Sequence, residues 1–261
     1  MRTCVSITVM LLAFVVLRAA PQAPPDVNFG PLPGERGVWE LDYIENVADH
    51  VLGSAPKSGR GRGSAAEPHI PFLPWSAAVY DYNVRTQAKY DPESYCIPPG
   101  GPRLFTAPYP MEIVQIPGQK RIFFIFEVSH VWYEVYLDGR EHPPTKDGTF
   151  LGHAVGQYDD GGKTLTIDVR NFNEMTWLDF AGHPHTTSLH VVEKLTRPSR
   201  TQLHLEVMID DPGAYTRPWT VAWNMKWWPN GKLDEYVCEE NNRYIRTLKD
   251  DFGNPMVFGK H

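Results

Sequence analysis

The 261-residue sequence predicts a mainly β protein: an antiparallel up-and-down β-barrel of about eight or nine strands with an N-terminal helical arm. Three observations predict it. From Met111 onward apolar residues recur with a period of two, in runs rich in branched and aromatic side chains: RIFFIFEV, VWYEVYL, KTLTIDV, SLHVVEKL, QLHLEVMI and WTVAWNMKWW. That is the pattern of strands with one buried face. Turn signals punctuate the runs at LDGR (137–140), DDGGK (159–163), RPSR (197–200) and PNGK (229–232), the last holding an Asn-Gly hairpin pair. No helix-length segment interrupts them, so the hairpins form a meander, and a meander this long closes or wraps to hide its edges.

The elements follow in order. Arg2 precedes the apolar run VSITVMLLAFVVL, and RAAPQAPP follows it with several small residues. This is the layout of a secretory signal peptide over residues 1 to 23. As a helix the run rises only about 20 Å, short of the roughly 30 Å hydrocarbon core, so no stable membrane span is expected. Residues 24 to 71 are expected to form an arm and linker. Five prolines and two glycines between 21 and 34 favour extended chain. Val38, Leu41, Ile44, Val47, Ala48 and Val51 then recur at three- and four-residue spacings, which predicts a helix. APKSGRGRGSAAEP (55–68) is a flexible linker. Residues 72 to 261 are assigned to the barrel domain. It begins with a second helix opened by Pro74, and DPESYCIPPGGPRLFTAPYP (91–110) drapes over the body.

Composition narrows the function classes. The formal charge is −6, and subtracting Arg2 and Arg18 from the 25 basic residues leaves 23 against 31 acidic ones in a processed chain. With no basic stripe, a nucleic-acid partner is not expected. There is no Gly-rich phosphate loop and no Gly-x-Ser-x-Gly elbow. Cys4 would leave with the signal, so Cys96 and Cys238 remain as an even pair, expected as one disulfide in an oxidising compartment.

Alternation assigns faces within strands. Trp219, Val221, Trp223, Met225 and Trp227 share one face, and Leu203, Leu205, Val207 and Ile209 share another; both are expected to point inward. In SLHVVEKL the inward set is Leu189, Val191, Glu193 and Leu195. Glu193 is thus an acid among apolar residues, in need of a partner or a raised pKa. His190 faces out.

The segments DPESYCIPPGGPRLFTAPYPMEIVQ, YLDGREHP, FLGHAVGQY, TWLDFAGHPHTTSLHVVEKL, DDPGAYTRPWTV and YVCEENN resemble a family of secreted soil-bacterial proteins with no assigned biochemical role. The resemblance covers most of residues 72 to 242. Members usually carry Trp-Glu-Gly-Asp where this chain has Tyr158 to Gly161 with one extra residue, and Ser in place of Thr186. It implies a lipocalin-like barrel and no particular reaction.

The stretch WLDFAGHPHTTSLHVVEKL (177–195) crowds His183, His185 and His190 between Asp179 and Glu193. Three readings fit it. His-x-His on a strand can share a metal ion through His183 and His185, although Pro184 between them suits a loop or edge. Acid–base chemistry without a cofactor would use His185 as the proton-transfer group, oriented by Asp179 and His183, with His130, His142 and His153 converging on the same barrel mouth and Glu193 sharing the proton traffic. In the third reading Asp179 and the histidines only cap a tight loop through hydrogen bonds to the backbone. Trp132, Trp177 and Trp223 are candidate substrate-binding aromatics, and Arg103 and Arg140 candidate clamps for an oxygenated ligand. The function expected from these residues is a secreted small-molecule enzyme of lyase, isomerase or hydrolase type. The alternatives are a non-catalytic lipocalin-like protein binding an apolar or aromatic ligand, and a metal-dependent enzyme.

Overall fold

Period-two burial runs through the strands of a computed structural model describing residues 28–53, 69–144, 147–159, 161–240 and 249. The pattern is strictly alternating over Arg121–Phe126 and Gln202–Asp210. Burying one face of each strand closes the sheet on itself. Among the described residues nine strands form a closed barrel: β1 (Gly37–Glu40), β2 (Met111–Ile116), β3 (Arg121–Phe126), β4 (Trp132–Tyr136), β5 (His153–Tyr158), β6 (Thr164–Arg170), β7 (His190–Ser199), β8 (Gln202–Asp210) and β9 (Trp219–Pro229). The expected signal peptide, residues 1 to 23, and the expected linker, residues 55 to 68, lie outside the described residues. No described helix is long and apolar enough to cross a membrane.

The barrel is mixed rather than wholly antiparallel, because β4 and β5 run parallel. Asp138 does turn the chain at Leu137–Arg140, its Oδ1 accepting from the Arg140 backbone N–H at 3.2 Å with Gly139 at φ +75°. That turn opens a long connection instead of a hairpin. The chain returns to the starting end before β5 begins, and the two strands meet at only two pairs, Val135 with Ala154 and Tyr136 with Val155.

The helix expected over 38–51 is replaced by β1 and a single 3-10 turn, Val47–His50. The apolar positions that suggested the helix, Val38, Leu41, Ile44, Val47 and Ala48, are all buried, so the pattern marked burial and not period. Four pairs with β9 and one with β2 outweigh a weak local preference. At Gly37 a Cβ would lie 2.5 Å from the Trp228 carbonyl oxygen and 2.6 Å from the Trp227 ring, so only glycine lets β1 approach β9 there. The arm thus supplies the strand that closes the barrel. The Asn-Gly pair also differs from expectation. Asn230, at φ 59°, donates its N–H to the Arg36 carbonyl at the end of β9, and residues 231–240 continue without a strand.

The second helix forms as expected: α1 (Pro74–Arg85) has Pro74 in its first turn, where no amide hydrogen is needed. Of its buried stripe, Tyr80 and Asn83 lie against the 178–185 loop, and Ser76 donates its hydroxyl to the Ala214 carbonyl. Asn83 donates to the Gly182 carbonyl at 2.9 Å. Residues Gly101–Thr106 form a 3-10 segment whose Phe105 ring meets Phe124 and Phe126 edge-on, at 5.8 and 5.1 Å. Side chains therefore fill the interior. Cys96 and Cys238 form a disulfide, with Cα atoms 5.6 Å apart and 142 positions between them in sequence. It holds the end of the described chain beside β4, where Tyr236 N–H donates to His130 Nε2 at 2.7 Å.

Candidate active site

Beside the short β4–β5 ladder lies an open groove of about 470 Å³. Its walls include Pro98, Val131, Trp132, Phe150 and Leu151, with Glu134, Tyr136 and His153 as polar lining and His130 also on its wall. Trp132 is 63% exposed, an uncommon state for a side chain that size.

His153 opens β5 on the outer face, and a chain of polar groups stands behind it. His153 Nδ1 lies 2.9 Å from His142 Nδ1, and His142 Nε2 lies 2.9 Å from Asp168 Oδ1. Asp168 also receives Arg170 Nε at 3.0 Å on the same oxygen and His190 Nε2 at 2.7 Å on the other. The register explains the convergence. Asp168 faces outward on β6 between Val155 of β5 and Val192 of β7, so His153 and His190 are its diagonal neighbours, and the 137–152 connection brings in His142. Burial raises the Asp168 carboxyl, but the hydrogen bond and charge of His190 and the Arg170 guanidinium outweigh it and hold the group below its usual value.

These contacts couple the tautomers of the two rings. An ionised Asp168 can only accept, so when His142 is neutral it carries its hydrogen on Nε2 and offers a lone pair at Nδ1. His153 must then donate from Nδ1, which leaves its Nε2 as a free base. Burial, ahead of its charged neighbours, holds His153 below its ordinary pKa. Tyr136 stacks on the His153 ring at 5.3 Å, and the Arg140 guanidinium lies 3.7 Å over the Tyr136 ring. The Tyr136 hydroxyl donates to Glu134 Oε2 at 3.0 Å, and Arg121 pairs with Glu134 at 2.7 Å. A proton taken by His153 Nε2 can be passed on by Nδ1 to His142, next to the Asp168 carboxylate.

The histidine-rich stretch lies elsewhere. Asp179 is fully buried and accepts from the backbone N–H groups of Val47, Gly182 and His183 at 2.9, 3.0 and 3.1 Å, and from His183 Nδ1 at 2.8 Å. Burial raises its carboxyl, but His183 and these donors win and hold it low. The His183 ring stacks against both Tyr80 and Phe72, at 4.2 and 5.5 Å. His185 donates from Nδ1 to the Thr186 carbonyl at 3.2 Å and receives the Thr176 hydroxyl at Nε2, 2.9 Å away. Thr186 gives its own hydroxyl to Asp211 at 2.7 Å. Each group closes the loop; none reaches the groove. Among the described residues no set of three or more His, Cys, Asp or Glu is placed to hold a metal ion.

The other sequence candidates separate similarly. Arg103 is buried, bidentate with Asp91 at 2.7 Å and bonded to Glu93 at 2.8 Å, so its fork is already taken. Arg140 pairs with Asp138 at 2.6 Å beside the groove. Trp223 faces the interior, edge-on to His50 at 6.5 Å, and Trp177 is half-buried outside the groove lining. Glu193 points into the barrel and receives the Tyr133 hydroxyl at 3.2 Å. The structure therefore brings together His130, His142, His153, Trp132 and Arg140, and adds Asp168, Glu134 and Tyr136, which the sequence reading passed over. The available signal was the outward set of TLTIDVR, where Asp168 and Arg170 share a face. The chain is thus a closed, mixed nine-stranded barrel with an imidazole–imidazole–carboxylate chain at an external groove. Compared with protein-family models, curated proteins and solved structures, it matches none.

Proposed function

We propose that this protein is a secreted enzyme that moves a proton on a small, partly apolar substrate bound in the β4–β5 groove, by lyase, isomerase or hydrolase chemistry without an organic cofactor. The observation that carries the reading is His142 held between His153 and Asp168, which, with His142 neutral, turns the His153 hydrogen to Nδ1 and leaves Nε2 free as a base. A positioned base of this kind contributes about 10² to 10⁴ in rate. Trp132 and Phe150 supply a flat apolar surface for the rest of the substrate. Export is supported by the apolar N-terminal run, the resemblance to secreted soil-bacterial proteins and the Cys96–Cys238 disulfide.

The test needs no substrate at first. Imidazole ¹⁵N spectra at pH 7.5 should show His153 protonated at Nδ1 and His142 at Nε2, and Asp168→Asn should disturb the His142 signal most. The opposite His153 tautomer in the wild type refutes the assignment. Once turnover is found, His153→Ala should remove most of it with the fold intact. Exposed Trp132 favours a second reading, plain binding of an aromatic ligand in the same groove. In that case His153→Ala leaves affinity, read from Trp132 fluorescence, almost unchanged, and no reaction accompanies it.

A further inference from the structure

On its β1 side, β9 loses its partner part-way along. The β1–β9 ladder ends at Glu40 opposite Lys226, and the chain meets β9 again only at Val51, opposite Val221. The residues between are held elsewhere: Ile44 N–H donates to the Thr106 carbonyl at 3.0 Å and Val47 N–H to Asp179 at 2.9 Å. Along a strand, successive residues aim their N–H and C=O groups to opposite sides. In β9 the even-numbered residues aim toward β1, since Thr220 accepts from Leu52 and Asn230, just past the strand, donates to Arg36. Odd-numbered Trp227 donates instead to Thr201, beside β8. The N–H and C=O of Asn224 therefore face the gap, where Asp42 would stand opposite had the ladder run on, and among the described residues no strand pairs with them there. A pocket of about 640 Å³ occupies that place, its lining including Asp42, Tyr43 and His50 from the departing chain and Trp223 and Asn224 from β9. It shares no residue with the β4–β5 groove.

We propose that this pocket is a second binding site, for a small planar ring that carries a carbonyl oxygen beside a ring N–H, the lactam edge of pyridones and pyrimidinones. Asn224 presents the closely spaced donor and acceptor with which a strand residue exchanges both bonds with its partner. A lactam edge offers the same two groups reversed: its carbonyl takes the Asn224 N–H, and its N–H donates to the Asn224 carbonyl. An open-chain trans amide turns its N–H and C=O in opposite directions and makes only one of these bonds at a time. A threaded peptide strand does not fit either, because Glu40 at one end and Val51 at the other close the gap. The rings of Trp223 and His50, edge-on at 6.5 Å, and that of Tyr43, 52% exposed, line the pocket and suit a flat ligand. No covalent bond forms, and the site does not depend on the groove's acid–base chemistry.

The full chain, labelled with ¹⁵N, is titrated with 2-pyridone and two controls, 4-pyridone, whose N–H and C=O lie on opposite sides of the ring, and 1-methyl-2-pyridone, which has no N–H. With 2-pyridone the Asn224 backbone amide proton should move downfield and saturate, and both controls should bind weaker by about tenfold or more, the loss of one hydrogen bond or two. Asn224→Pro deletes the donor at a position where no strand bond is lost, and should weaken 2-pyridone by a similar factor, read from the remaining amides. Asn224→Ala keeps the backbone pair and should still discriminate the three pyridones. Should Asn224→Pro fail to fold, Ala222→Trp, which fills the pocket from the outer face of β9, should block binding in its place. Equal affinity for the three pyridones, shifts centred away from Asn224, undiminished binding in Asn224→Pro or Ala222→Trp, or no saturable binding of 2-pyridone overturns the proposal. Loss of discrimination in Asn224→Ala would place the contact on the side chain and overturn it as well.

Discussion

Replacing Glu193 by Gln should make the protein more stable at neutral pH, by an amount the structure fixes. The folded state holds the carboxyl at about 8 against an ordinary value of 4.5, because burial in the barrel raises it more than the Tyr133 hydroxyl lowers it. Below pH 4.5 both folded and unfolded chains carry the proton and the residue costs nothing. As pH rises the unfolded chain ionises first, so stability falls steadily up to about pH 8 and is then level. Each unit between the two values is worth about 1.4 kcal/mol, so the penalty is below about 1 kcal/mol at pH 5, about 3 kcal/mol at pH 7 and about 5 kcal/mol at pH 9. Gln keeps an oxygen for Tyr133 and carries no charge at any of these pH values. Urea unfolding of both proteins at pH 5, 7 and 9 should show their stabilities parting with just that trend. At pH 7 the melting temperature of the variant should be higher by roughly 6 to 12 °C for a chain of this size. A stability difference that is independent of pH, or a variant less stable at pH 7, would show that Glu193 is ionised in the folded barrel and that its surroundings have been misread.

Two further outcomes are expected. Asp179→Asn replaces one of the two buried oxygens that together accept four hydrogen bonds by a donor NH₂ and leaves His183 without its carboxylate, so thermal or urea melts should show a loss of about 3 to 5 kcal/mol while the His153 tautomer in ¹⁵N spectra is unchanged. Reducing Cys96–Cys238 releases a loop of 142 positions and should lower stability by up to about 5 kcal/mol in the same melts. An unaltered urea midpoint after confirmed reduction would count against that figure.

What could be read in the sequence divides along physical lines. Alternation is local, so strand faces were legible: Glu193 among Leu189, Val191 and Leu195 is buried, and His190 points outward. The disulfide was legible by parity. Direction and order of pairing are not local. Nothing in LDGR distinguishes a hairpin turn from the start of a return connection, and the Asp-Gly turn itself does form. The stretch from Val38 to Val51 has helical spacing, yet its residues satisfy that spacing by being buried one after another in a strand and a 3-10 turn, held by β9 far along the chain. The site was only half legible for the same reason. Density of histidines drew the eye to 183–190, whereas His142, His153 and Asp168 meet only through the register of β5 on β6 and a connection that crosses the strand ends.

The two-pair joint between β4 and β5 has a consequence for how the ring yields. Every other neighbouring pair of strands runs antiparallel, from β5 through β9 and on through β1 to β4, in an unbroken series. Parting the joint therefore unrolls the wall into one continuous nine-stranded ribbon without separating any hairpin. Only the single-pair β1–β2 ladder is shorter, so parting β4 from β5 surrenders few backbone hydrogen bonds, and that motion passes through the groove lined by His153 and Trp132. Amide exchange should report it at Ala154 and Val155 well before the β7–β8 hairpin. Water and small solutes would then meet the barrel's interior at the same place where they meet its imidazoles.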